Sequence, residues 1–205
     1  MRSELRRWTV GLALCTCAPF AVAAADAAGV KPRGLTIHWS DPENQFPFGM
    51  DELIAQARAL FAPLGIELNF APSGTVITRD HVQVVLLAVD RSGGRMGAHT
   101  MACVQRGAGL QPAAWILVPQ VRAALGLPPQ RFPAEAPLLS RALARVMAHE
   151  LIHLIAPDLP HVPGGLMNAT LGRDLLLKPL AAAVDGGVAR AVRSAFESWP
   201  TLTGA

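Results

Sequence analysis

Hydrophobic positions along this chain recur with two different periods, and the switches between them mark out an α/β succession. Leu35-Thr36-Ile37-His38-Trp39 alternates residue by residue, which predicts a first strand. Asp41 to Gly49 carries two prolines and turn residues and predicts a loop. Asp51-Glu52 then opens a helix to about Ala62, with Leu53, Ile54, Ala57 and Leu60-Phe61 at helical spacing and Pro63 and Gly65 as its stop. Ile66 to Phe70 predicts a second strand. His81 to Val89 predicts a third, apolar on both faces and therefore central.

The glycine-rich stretch from Asp90 to Gln111 predicts an irregular loop with a short strand near Thr100 to Gln105, and Ala114 to Val118 a further strand. Pro119 to Leu125 is a short helix, followed by a proline-rich connector to Pro137. Leu138 to Ile155 has the strongest helical pattern in the chain and is ended by Pro157 and Pro160. Gly172 to Trp199 predicts a C-terminal helical region broken at Gly186-Gly187. No internal repeat interrupts this order, so residues 28–205 are expected to form one α/β (α+β) domain around a twisted mixed sheet.

The first residues stand apart from that pattern. Arg2, Arg6 and Arg7 precede an apolar stretch from Trp8 to Val22, and small residues follow, with Ala21-Val22-Ala23 or Ala23-Ala24-Ala25 as cleavage sites. This predicts an export signal over residues 1–27 and a secreted or periplasmic product. The competing reading is an uncleaved anchor; the shortness of the stretch and its alanine-rich end favour cleavage. No other segment is long and apolar enough to span a bilayer, so no membrane association is expected once the signal is gone. Arg2, Arg6 and Arg7 against Glu4 and Asp26 carry +1 of the formal net charge of +3, leaving +2 on residues 28–205. Nothing in that balance points to nucleic acid. Cys15 and Cys17 fall in the signal, so Cys103 is left alone and no internal disulfide is available; it is expected to be a small buried residue.

Chemistry concentrates at the end of the strong helix. His149-Glu150-Leu151-Ile152-His153 is an H-E-x-x-H motif. Residues four apart on a helix share a face, so two imidazoles can hold one ion, and Glu150 stands one step round as a general base. Such a site fits Zn2+, which lowers the pKa of water toward neutrality while a carboxylate takes the proton. Leu139, Leu143, Val146 and Glu150 share one stripe, and Ala142, Val146, His149 and His153 its neighbour. An apolar stripe that turns polar at its end predicts a buried helix opening onto a cleft.

Two candidates compete as third ligand. His161 follows His153 by eight residues, past Pro157-Asp158-Leu159-Pro160, a segment suited to reversing the chain. Asp174 lies 21 residues beyond His153. His161 is favoured because a helix followed by a tight return can bring it back beside the first two ligands. Asp158 is read as a turn residue, with an N–H acceptor role for a ligand histidine as the alternative. His38 and His81 lie in strands and are read as structural. The chain contains no Tyr, so any side chain helping to stabilise an oxyanion must come from elsewhere, with His99, Arg106 and Arg173 as candidates.

With Met167 added, the pattern resembles the metzincin side of the zincin metallopeptidases: H-E-x-x-H, a turn, a third histidine and then a methionine turn. It departs from the usual metzincin spacing, since Ala156 and Leu159 stand where Gly and the third His are usual. H-E-x-x-H-x7-H followed by Gly-x-Met is similar instead to small exported bacterial zincin-like proteins. The resemblance implies a zincin-like fold, Met167 packed beneath the histidines without ligating, and a substrate strand laid along an edge strand within residues 100–118. The expected function is therefore a zinc metallopeptidase, an endopeptidase acting on peptide or protein. The alternative is a non-catalytic zinc-binding exported module, a scaffold or sensor.

Overall fold

Leu35 and Ile37 are fully buried in the first strand while Thr36 between them is only half-buried, so the expected alternation is present in three dimensions. The computed structural model describes residues 33–71, 81–91, 96–97, 99–107, 110–179 and 184–199, and the signal expected over residues 1–27 lies outside them.

Five strands and five α-helices are described: β1 (Arg33–Ser40), α1 (Met50–Phe61), β2 (Ile66–Ala71), β3 (His81–Leu87), β4 (Ala102–Gln105), β5 (Ala113–Leu117), α2 (Val118–Leu125), α3 (Ala136–Ile155), α4 (Arg173–Leu177) and α5 (Gly186–Glu197). The strands form one mixed sheet in the order β2-β1-β3-β5-β4. The first three pairings are parallel, and β4 joins β5 antiparallel, Ala102 opposite Ile116 and Gln105 opposite Ala113. The domain is thus mixed α/β, with β3 central as its sequence predicts. β4 forms one edge.

Period-two burial divides the faces of the sheet. Leu35, Ile37, Val82, Val84, Leu86, Ala114 and Ile116 point into the main core, where α1 and α3 pack on each other and α3 also meets β4 and β5. The opposite face carries a smaller cluster of Leu87, Met96 and Leu117, with Val85, Cys103 and Trp115 packed against it. Cys103 is half-buried, less enclosed than expected.

Residues 142–149 of α3 are all buried, as a helix enclosed on every side requires. Its approach to α1 depends on Gly49, which has φ 90° and lies where a Cβ would collide with Ser140 Oγ; that hydroxyl in turn donates to the Gly49 carbonyl at 2.9 Å.

The C-terminal region differs from expectation. Among the described residues it holds two helices, and Gly186-Gly187 begins the second rather than breaking the helical region. Asp185 is the reason: its Oδ1 accepts from the backbone N–H of Gly187 at 2.7 Å and of Val188 at 3.4 Å, capping α5.

Candidate metal centre

α3 delivers the first two histidines. Its last turn places His149, buried, and His153, half-buried, one turn apart, and Ala156 ends the helix with its N–H on the Ile152 carbonyl. Pro157 and Pro160 prevent continuation, and the exposed turn containing Asp158 reverses the chain. His161 is thereby carried back to the helix it left. Its Nε2 lies 3.0 Å from Nε2 of His153 and 3.4 Å from Nε2 of His149, and the latter two are 3.1 Å apart. Three imidazole nitrogens thus meet at the corners of a small triangle and can hold a metal ion.

The proton positions favour that use. His149 Nδ1 lies 2.8 Å from the Leu166 carbonyl, which can only accept, so Nδ1 carries the proton and Nε2 presents a lone pair to the triangle. Burial first, and then the His161 imidazole, hold the His149 pKa below the usual histidine value; the Leu166 carbonyl opposes them. His153 is pushed down to about 4 by burial and by the His149 and His161 rings. These two imidazoles are therefore neutral near pH 7, the state that binds a cation.

The turn after His161 supports two of the three histidines through its backbone. Asn168 N–H donates to Gly165 O at 3.2 Å and closes the turn. Within it Leu166 O orients His149, and Met167 O accepts from Val162 N–H at 2.8 Å, fixing the residue beside His161. Met167 itself is buried in the main core. Sequence reading singled out the methionine but missed these carbonyls, because every residue carries one and no side-chain identity marks those used.

Glu150 lines the same cleft as the three histidines, a space of about 590 Å³. Its carboxyl is pushed up to about 7 by burial. His99 and Thr100–Ala102, leading into β4, form one wall, and residues 168–171 form another. The latter wall also went unrecognised in the sequence, where Asn168, Ala169 and Thr170 look like any polar loop.

The other candidates separate. Asp174 is exposed on α4 and does not join the ligand group; no carboxylate does among the described residues. Arg106 lies over the Trp199 ring at 5.9 Å, and Arg173 donates to the Leu125 carbonyl, so neither lines the cleft. His99 does. His38 and His81 pair with each other across β1 and β3, Nε2 to Nδ1 at 2.7 Å.

No protein-family model matches the chain, and no curated protein matches its sequence. Among solved structures, a chain of the GM1-bound form of the ECX AB5 holotoxin aligns with TM-score 0.42 and 12% identity, over 79% of this chain and 80% of that one. So distant a likeness carries no argument about fold or activity. Fold and site together define a mixed α/β domain with a three-histidine candidate metal centre in an open cleft.

Proposed function

We propose that this chain is an exported, zinc-dependent metallopeptidase of the zincin type that hydrolyses peptide bonds in peptides or proteins. The observation that carries the reading is the convergence of three imidazole Nε2 atoms in one cleft with Glu150. Zinc–nitrogen bonds of about 2.0–2.1 Å place tetrahedral ligands about 3.3–3.4 Å apart. The three observed separations, 3.0, 3.1 and 3.4 Å, are near that value. His149, His153 and His161 would hold the ion, and three protein ligands leave a coordination position that a structural zinc site would have closed. When bound, zinc supplies Lewis acidity, polarising a carbonyl and acidifying water.

The chain's own residues account for the rest. Glu150 lies in the same cleft as the three histidines, where one carboxyl can both take a proton from water and return it to a departing amine. Edge strand β4 begins beside the cleft at Ala102, so an extended peptide can lie along it by strand addition. Export rests on the Arg2–Ala25 pattern alone.

Elemental analysis of the chain from about Ala28 tests the reading. Stoichiometric zinc is expected, lost in His149→Ala and His161→Ala and kept in Asp174→Ala. Glu150→Gln should keep the zinc and lose about 100-fold or more of the activity found in a peptide-library screen. No stoichiometric metal after zinc reconstitution would sink the proposal. Zinc binding without turnover in the parent would establish the non-catalytic module instead.

A further inference from the structure

Two arginines are buried among the described residues, and they are treated very differently. Arg122, 6% exposed, has its guanidinium on Glu135 Oε2 at 2.7 Å and on the carbonyls of Pro128 and Gln130. Arg145, 2% exposed on α3, bonds the Lys178 carbonyl, and among the described residues its Nε has no partner and no carboxylate pairs with it. An uncompensated cation in that position is costly unless something neutralises it.

Its surroundings add positive charge. Arg141, one turn earlier on α3, acts on Arg145: burial first, and then the Arg141 charge, lower the Arg145 pKa. Arg141 and Lys178 line a cavity of about 320 Å³ together with Gln56, Leu177 and Pro179. Lys178 Nζ donates to the Gly164 carbonyl at 2.8 Å, so it contributes field to the cavity while its own hydrogen bond goes elsewhere. Gln56 is oriented by Glu52, whose carboxylate accepts from Gln56 Nε2 at 2.7 Å. That leaves Gln56 Oε1 buried and without a donor. The cavity therefore combines surplus positive charge with one unfilled acceptor. A fully deprotonated, acceptor-only anion such as sulfate answers the first and not the second.

We propose that the cavity between α1, α3 and α4 binds inorganic hydrogen phosphate, an oxyanion that keeps a P–OH near neutral pH. Its oxygens pair with Arg141 and neutralise the field at Arg145, and its P–OH donates to Gln56 Oε1. Through Lys178 and Gly164 the site adjoins the loop that carries His161, but it needs no metal.

Thermal unfolding of the whole chain at constant ionic strength, with sodium phosphate, O-phosphorylethanolamine, sodium sulfate or sodium chloride, tests this. Phosphate at ten times its Kd should raise Tm by about 3–6 °C, with sulfate and chloride far behind. O-Phosphorylethanolamine, whose phosphate has lost its last proton near neutral pH, should fall behind phosphate as sulfate does, and a response equal to that of phosphate would overturn the P–OH contact. Arg141→Gln, at an exposed position, should weaken the phosphate response about tenfold, and Gln56→Leu should erase the preference over sulfate. His153→Ala should leave the response intact, which separates this site from the metal centre. A sulfate shift equal to that of phosphate, no shift with phosphate, or a response undiminished in Arg141→Gln overturns the proposal.

Discussion

His38 illustrates how much a single residue's meaning depends on its surroundings. On β1 it is buried and paired with His81 of β3. Burial first, and then the His81 ring, hold its pKa below the usual value. A group kept neutral in the fold but free to charge when unfolded contributes stability above the ordinary histidine pKa, and that contribution is lost as pH falls below it. His38→Gln should therefore lose less stability than the parent between about pH 7 and pH 5. Urea denaturation at both pH values, with the metal state held equal, checks this; identical losses in the two proteins would refute it. The same residue type at His149 carries the opposite assignment. There Nε2 faces two other imidazoles, where His38 Nε2 faces the His81 imidazole.

At the scale of elements, α1 and α3 owe their contact to one missing side chain. Gly49 sits at the N-terminus of α1 with φ 90° and no room for a Cβ beside Ser140. Gly49→Ala is expected to cost about 2 kcal/mol or more, from backbone strain and collision together. Combining it with Ser140→Ala should recover part of that cost and leave the backbone part. Unchanged unfolding midpoints in Gly49→Ala would remove Gly49 from the account. The elements themselves were largely legible in the sequence, because helix and strand periods depend on near neighbours; α3 was expected from Leu138 and begins at Ala136. The C-terminal region was misread because two consecutive glycines look like an interruption until the Asp185 cap is seen.

For the whole molecule, the candidate metal centre joins the end of α3 to the loop that returns to it, with no described strand contributing a ligand. Under the proposed function, bound zinc at a thousand times its Kd adds about 4 kcal/mol to stability. Chelation should remove that gain and loosen the return loop first. Hydrogen exchange should then accelerate at Val162, whose N–H is held by Met167 O, while β1 and β3 in the sheet centre keep their protection. Uniform acceleration across the sheet would mean that the metal supports the entire fold.

The sequence by itself determined the alternation of strands and helices, the buried character of α3 and the pairing of His149 with His153. Each follows from a local period, two for a strand and four residues along one helix face. Only the tertiary structure brings His161, and not Asp174, to the other two histidines, because that depends on where the chain goes after Pro157. It also set the Leu166 carbonyl on His149 and the Met167 carbonyl on the Val162 N–H, and gave Arg106 and Arg173 other contacts. Arg145 belongs with them: on the helix pattern it is one more charged residue, and only packing reveals a buried cation without an acid among the described residues. Distances between residues far apart in the chain are set by closing the core, and no local pattern encodes them.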